Sequence, residues 1–471
     1  MTDNRDLKTN SNEIENTVKL DTNIESDANK MGTMPIGKLL GTMAWPAILS
    51  MTINALYNVV DSIFVAMISQ EALTAVSLVM PIQLLMISLA VGSAVGVNSL
   101  IARRLGAKRF DEANKAASTS IRIGAFNFII FLLVGIFLAK PFMHGYTSNE
   151  DIFNNGVTYL QIITIFCGFS MIQVQFEKVL QATGNMIAPM IISLSGALTN
   201  LVLDPILIFG LFGLPKLGIA GAAIATVTGQ AVAFGVATYM IVSKEHDVKV
   251  QLKGYKMDWK VVKDIYAVGL PAIVMQSIGS IMLLAYNAIL AASATAVAVL
   301  GVYYKLQSFI FMPVFGLNQG AMPIMGYNFG ARNKKRLMET YKKALIVALV
   351  IMGIGLILFQ AFPTFFLKLF SADAAMLEMG VPALRIISLC FVPAAFGIIS
   401  STLFQGTGHG MYSLWGSLIR QLIGILPIAY VLYHAFGVTV SWASFPLAEI
   451  IGTIFVAVML ARLYKKQLKN L

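Results

Sequence analysis

The tetrapeptide QATG at 181–184 recurs as QGTG at 405–408, an offset of 224. The tripeptide LGA at 105–107 recurs as FGA at 329–331 with the same offset. One match of this length could arise by chance. A constant offset in separate segments indicates that the chain contains two copies of one structural unit.

Further matches extend this internal repeat. Gln83 maps on Gln307 with the offset of 224, and WPAI at 45–48 maps on LPAI at 270–273 with an offset of 225. The repeat therefore covers most of each half of the chain.

The composition assigns the chain to the bilayer. Of its 471 residues, 57% are hydrophobic and only 12% are charged, whereas a soluble domain carries about 25% charged residues. This excludes an ordinary water-soluble enzyme, a disordered chain and a disulfide scaffold. The two cysteines, Cys167 and Cys390, lie in apolar segments, and the four histidines show no metal-ligand spacing. We therefore predict no structural metal site, no redox role and no cofactor.

Twelve apolar segments are long enough to cross a membrane, which takes roughly 20 residues. We number them as spans 1 to 12: 36–68, 73–101, 116–139, 156–180, 186–212, 219–243, 264–291, 295–327, 344–367, 380–404, 411–435 and 439–462. The predicted fold is an all-α integral membrane protein.

Each repeat contains six spans, so both copies enter the membrane from the same side. Their symmetry is then a pseudo-twofold axis along the membrane normal, with a cleft between two lobes. We predict a disordered tail at 1–35, a first lobe at 36–243, a loop at 244–263, a second lobe at 264–462 and a tail at 463–471. This architecture is typical of a transporter.

Loop charges predict the orientation. The net charge is +11, and Lys and Arg concentrate in the loops after spans 2, 6 and 8 and in the tail after span 12, which places both termini in the cytoplasm. In an apolar chain this basic excess favours contact with anionic lipid over nucleic acid. We expect no nucleic-acid partner.

Ionisable groups inside spans are candidates for function. Asp61 in span 1 and Asp204 in span 5 both lie in the outer half of the first lobe, with Asn58 and Asn200 one turn away. Thr226 in span 6 reaches the same depth. Such oxygens could bind Na⁺, and carboxylates desolvated together could carry a proton instead. A structural alternative is a polar contact between helices without any role in turnover.

Other polar residues in spans allow more than one interpretation. Glu177 lies either at the interface or at the inner mouth, with Lys178 extending outward to water. Glu449 matches Gln230 and could serve helix packing or ion handling. Lys305 and Arg420 could pair across the lobes or contact an anion.

Four fragments carry a resemblance to a known family: LYNVVDSIFVA at 56–66, ARRLGAK at 102–108, TNLVLDPILIFG at 199–210 and GIAGAAIATVTGQ at 218–230. With QATG, their order resembles the multidrug and toxic compound extrusion (MATE) family, in its DinF-type bacterial branch.

The resemblance implies a multi-pass protein of the bacterial plasma membrane that exports lipophilic organic cations by cation-coupled antiport. It implies a coupling cluster, and a possible Na⁺ site, at Asp61, Asn200, Asp204 and Thr226. We add Asn58 to the predicted coupling cluster. We also predict substrate contacts at Glu177, Asp204, Tyr57, Gln181, Lys305 and Arg420. We expect the chain to function as a monomer.

Two other functions compete with this one. A flippase of lipid-linked saccharides shares this architecture, and a pyrophosphate-binding cleft would use bases such as Lys305 and Arg420. A membrane-embedded enzyme is disfavoured because no nucleophile–base pair, HExxH motif or phosphate loop occurs.

Overall fold

The computed structural model describes residues 29–243, 247–251, 257–370 and 372–471. Those residues form helices and turns without any β-strand. The first six spans are Ile36–Ala66, Gln70–Gly106, Phe110–His144, the pair Glu150–Ile165 and Gly168–Ala182, Ile187–Phe209, and Ile219–Ser243. The second six are Trp259–Leu290, Ala294–Gly330, Lys334–Ala361, the pair Ala374–Ser388 and Phe391–Gly406, Gly410–Phe436, and Ser444–Lys466. The chain thus has twelve spans in two lobes of six.

The two lobes share local irregularities as well as span number. The helix pairs of spans 4 and 10 are each bent by 46°. Ser69 caps span 2 by accepting a hydrogen bond from Ala72, and Ser293 caps span 8 by accepting one from Ala296. Such caps satisfy backbone donors that a helix leaves free at its start. The two caps are related by the same offset as the QATG motifs, so the repeat is structural.

The recurring glycine of the QATG motif has a conformational reason. Gly184 and Gly408 end spans 4 and 10 with φ values of 86° and 89°. Side chains other than glycine rarely adopt such angles, and glycine adopts them at helix ends without strain. The motif therefore marks the same turn in both lobes.

The lobes meet at the end of the bundle that carries the Arg- and Lys-rich loops after spans 2 and 8, here called the basic end. A Cβ atom on Gly106 would overlap the backbone carbonyl of Tyr327, and one on Gly330 would overlap that of Arg103. The two glycines are related by the offset of 224, so their contacts are mates about the pseudo-twofold axis. Only glycine permits this close approach.

The same symmetry continues along the interface. Gly92 of span 2 packs on Ile273 of span 7, and Gly316 of span 8 packs on Ile48 of span 1. Beyond this level no residue of span 1 is buried from Ile48 to Phe64. Contact between the lobes is therefore concentrated in the half of the interface next to the basic end, and a cleft opens toward the opposite end.

Several predicted boundaries were wrong. The segment from 29 to 35, predicted as disordered tail, contains the helix Lys30–Thr33, and Met31 is fully buried in the second-lobe core; residues 1–28 lie outside the described part. Residues 259–263, predicted as loop, form the first turn of span 7. Span 12 continues to Lys466, and Leu468 beyond it is buried. Each segment packs against its neighbours, which sequence polarity does not reveal.

Candidate functional site

Asp61 and Asp204 meet inside the first lobe. Asp204 is fully buried and Asp61 is half-buried, and their carboxyl groups lie within hydrogen-bonding reach of each other. Spans 1 and 5 supply one carboxyl group each. The predicted convergence of these two acids is present in the structure.

Asn200 and Thr226 complete this group. The Asn200 amide nitrogen lies 3.3 Å from Asp204 Oδ1 and 3.3 Å from Thr226 Oγ1, and it donates to both. The Tyr57 hydroxyl lies beside Thr226 and is close enough to Asp61 and Asp204 to interact with their charges. We call Tyr57, Asp61, Asn200, Asp204 and Thr226 the carboxylate chamber. Asn200 and Asp204 share a face because residues four apart stack on a helix.

Three oxygens in this chamber are buried without a hydrogen-bond partner among the described residues: Asp61 Oδ1, Asn200 Oδ1 and Asp204 Oδ2. A buried oxygen without a partner costs free energy, and two adjacent carboxylates also repel each other. A proton or a cation between them would relieve both costs. Among the described residues, no three His, Cys, Asp or Glu side chains are grouped so that they could hold a metal ion. The oxygens of the chamber come from two carboxylates, an amide and hydroxyls.

Two further polar residues, which were not predicted as site residues, lie beside the chamber. The Gln83 amide donates to the Tyr159 hydroxyl at 3.3 Å, and Tyr159 is close enough to Asp61 and Asp204 to interact with their charges. Gln83 is a polar residue within apolar span 2 and matches Gln307, a signal that could have identified it. Tyr159 carries no such signal, because tyrosine is common in spans.

The placement of Asn58 differs from the prediction. Asn58 is exposed and donates to the backbone carbonyl of Asn54 at 2.8 Å. Three residues rotate by about 300° on a helix, so Asn58 lies about 60° around span 1 from Asp61. The chamber receives only the Asp61 side of the helix.

Lys178 does not extend outward to water as predicted. It is 8% exposed, and its ammonium group donates to Gln181 Oε1 at 2.7 Å and to Gln319 Oε1 at 2.9 Å. Because Gln319 belongs to span 8, this contact bridges the lobes where the cleft ends. Gln181 therefore supports Lys178 at the cleft floor.

Glu177 forms its hydrogen bonds within the first lobe. Its Oε1 accepts hydrogen bonds from Gln173 at 3.0 Å and from Ser193 at 3.2 Å. Both partners belong to spans 4 and 5 of the first lobe. Glu177 is therefore a half-buried group outside the carboxylate chamber.

The bases of the second lobe do not converge. Arg420 forms an ion pair with Glu449 at 3.3 Å, and both residues belong to the second lobe. Lys305 is exposed, with its ammonium group 5.9 Å from the centre of the Phe370 ring. The pairing across lobes considered for Arg420 is thus replaced by pairing within its own lobe.

The described residues of the second lobe form no equivalent of the carboxylate chamber at the corresponding level. The offset of 225 maps Asp61 on Tyr286, Asn200 on Ile425 and Asp204 on Ala429, all of them buried in an apolar core. Tyr286 packs on Phe445 with ring centres 5.2 Å apart. The same backbone therefore encloses polar oxygens in one lobe and aromatic packing in the other.

The comparisons with known proteins agree with this fold. The family model MatE matches the chain twice, at residues 46–206 and 271–431, which together make up about two thirds of its length. The second match begins and ends at the same offset from the first, which confirms the duplication. The chain belongs to the MATE family of transporters and is not an enzyme.

Three proteins that are similar to this chain are named for multidrug resistance or multidrug export. It is 27% identical to the probable multidrug resistance protein NorM of Thermotoga maritima, over 88% of this chain and 90% of that one. It is 25% identical to the multidrug export protein MepA of Staphylococcus aureus, over 87% and 90%. A solved multidrug resistance MATE transporter of the MOP superfamily, in an outward-facing conformation, aligns with a TM-score of 0.85 and 25% identity, over 93% and 99%. The DinF-type branch stays a prediction.

Proposed function

We propose that this chain is an antiporter that exports structurally varied, mostly lipophilic cationic compounds in exchange for H⁺ or Na⁺. Similarity to proteins named for multidrug export supports the type of cargo. The coupling rests on one observation, the adjacent Asp61 and Asp204 carboxyl groups with their unpartnered oxygens.

The chamber suits an exchange mechanism because its charge must be balanced. In a low-dielectric site, two neighbouring carboxylates are stable only when a proton or a cation neutralises part of their charge. An entering coupling ion reduces the attraction of the first lobe for a cationic cargo. Binding of ion and cargo is then linked, since each lowers the affinity for the other.

The positions of the basic loops support an orientation with the basic end in the cytoplasm. The present conformation, with the lobes in contact at that end, would then be outward-facing. The plasma membrane of a bacterium is the expected location. A single chamber within one chain is consistent with a functional monomer.

A test uses purified protein in liposomes loaded with a cationic dye. Dye movement is measured under a pH gradient alone and under a Na⁺ gradient alone. Asp204→Asn and Asp61→Asn should each abolish transport driven by either gradient, because one carboxylate no longer requires a counter-cation. Normal gradient-driven transport by Asp204→Asn would overturn the proposal.

A matched control separates coupling from general damage. Thr226→Val removes a hydroxyl from the chamber and should weaken coupling, whereas Thr228→Val removes an exposed hydroxyl bonded to the carbonyl of Ile224 on the same helix. Thr228→Val should transport as the parent does. Equal loss in both variants would indicate a folding defect.

The alternative function is a flippase of lipid-linked saccharides. Its support is the exposed Lys305 and, in addition, Lys178 at the cleft floor, because Arg420 is neutralised by Glu449. Gradient-independent movement of a lipid-linked pyrophosphate sugar in the same liposomes, with loss in Lys178→Gln, would favour it over antiport.

A further inference from the structure

A cavity of about 510 Å³ lies at the basic end, outside the cleft and the carboxylate chamber. The charged and polar residues that line it are Arg103, Arg104, Arg109, Arg332, Gln467 and Asn470. No acidic side chain is among the described residues that line it. Four arginines and two amide side chains therefore contribute to the lining, together with Leu471, and Arg103 donates its Nε hydrogen to the Ser99 carbonyl at 3.1 Å.

The positive charge of this cavity is only partly compensated. Arg104 pairs with Glu112 at 2.8 Å and with Asp264 at 3.2 Å, and Arg109 lies 3.5 Å from Glu112. In the described part of the chain, no carboxylate lies within ion-pairing distance of Arg103 or Arg332. Arg332 is thus left to attract an anion, and Arg103 adds a positive charge that its hydrogen bond to the Ser99 carbonyl does not neutralise.

Both lobes build the cavity. Arg103, Arg104 and Arg109 come from the end of span 2 in the first lobe and the loop after it, and Arg332 follows span 8 of the second. Gly330, which approaches the Arg103 carbonyl across the interface, also lines the wall. The cavity therefore has its full set of arginines only while the lobes are in contact at the basic end.

We propose that this cavity is a binding site for a phosphate-bearing anion, and that the bound anion favours the conformation closed at the basic end. Guanidinium groups bind phosphate oxygens in pairs of parallel hydrogen bonds, which suits a phosphate better than a single-atom anion. The phosphate belongs either to an anionic lipid headgroup or to a soluble polyphosphate. A ligand that binds one conformation better shifts the population toward it.

The first experiment measures binding to the purified full chain in detergent. The thermal unfolding midpoint is recorded against increasing dioleoylphosphatidylglycerol, inorganic pyrophosphate or neutral dioleoylphosphatidylcholine. We expect one or both anions to raise the midpoint and the neutral lipid to leave it unchanged. Protection by phosphatidylglycerol alone identifies a headgroup, and competition by pyrophosphate identifies a site open to soluble phosphates.

Substitutions locate the effect. Arg332→Gln and Arg109→Gln change exposed side chains and should each raise the half-effective anion concentration about tenfold, because each removes charge-assisted hydrogen bonds. Lys335→Gln removes a charge at the same end outside the cavity and should leave that concentration unchanged. An equal loss in Lys335→Gln, or the absence of any anion effect in the parent, overturns the site.

A second measurement tests the conformational part. Spin labels on Lys115→Cys and Lys342→Cys, positions in different lobes near the basic end, report the separation of the lobes there. The protecting anion should increase the population with the short distance in the parent, and Arg332→Gln should need about ten times more of it. A distance distribution that does not respond to a bound anion overturns the conformational effect.

Discussion

Closure of the basic end should depend on two glycines that face each other's lobe. Gly330→Ala adds a methyl group where the carbonyl of Arg103 lies, and Gly106→Ala adds one where the carbonyl of Tyr327 lies. Both obstacles are backbone atoms, so no side-chain rotation relieves the overlap. The lobes must separate locally to accommodate either substitution.

The size of the effect follows from the cost of overpacking. An extra methyl group in a well-packed interface costs about 1–3 kcal/mol. The overlap exists only while the lobes are in contact, so this cost falls on the closed conformation alone. In either single variant, the ratio of closed to open molecules should therefore fall by roughly 5- to 150-fold. The double variant, with both Gly106→Ala and Gly330→Ala, should lower that ratio further.

The assay is the spin-label pair on Lys115→Cys and Lys342→Cys in liposomes. The native thiols, Cys167 and Cys390, are both buried, so labelling should be confined to the introduced sites. Gly330→Ala should move most of the distance distribution to longer values. Dye efflux should slow, because the closed conformation is reached less often.

A control on the same helix tests the reasoning. A Cβ atom on Gly301 would meet no atom within 4 Å, so Gly301→Ala should leave the distances unchanged. If Gly330→Ala gives the parent's distribution, or if Gly301→Ala broadens it equally, the reciprocal glycine contacts do not hold the lobes together.

Three further outcomes are expected. Arg420→Met should lower the free energy of unfolding by about 3 kcal/mol because Glu449 keeps a buried charge, and adding Glu449→Met should recover part of that loss in thermal unfolding. Burial, with a smaller contribution from Arg103, lowers the pKa of His409 below its usual value of 6.5. Protonation of His409 therefore favours the unfolded state, so the free energy of unfolding should fall as the pH drops below about 6.5. The thermal unfolding midpoint of His409→Gln should fall less over the same pH range. Met31→Ala should lower the free energy of unfolding by about 2–3 kcal/mol in thermal unfolding in detergent, because it leaves a cavity in the second-lobe core. An unchanged unfolding midpoint would show that this segment does not contribute to stability.

Much of the fold could be predicted from the sequence. Twelve spans follow from apolar length alone, because a bilayer leaves backbone groups no partners except those within a helix. The duplication was visible because Gly184 and Gly408 need a left-handed backbone and Gly106 and Gly330 need a close approach. Such positions keep their residue type in both copies for a physical reason.

The site was predicted only in part. Asp61, Asn200, Asp204 and Thr226 could be grouped by depth, which follows from their positions along straight helices. Rotation about each helix could not be fixed as closely, so Asn58, which is exposed about 60° around span 1 from Asp61, was grouped with the chamber. Lys178 was assigned to water for a similar reason, since a long side chain near a helix end usually has that option.

The sequence by itself determined the number of spans, the two copies and the burial of carboxylates in the first lobe. The free-energy costs of unpaired backbone groups and of charge in lipid depend only on the residues of each segment. Only the tertiary structure decided which oxygens share a chamber, that Gln319 of one lobe holds Lys178 of the other, and that four arginines surround one cavity. Those arrangements depend on how far each helix is rotated and on which lobe faces it. Both are set by packing between segments that are distant in sequence.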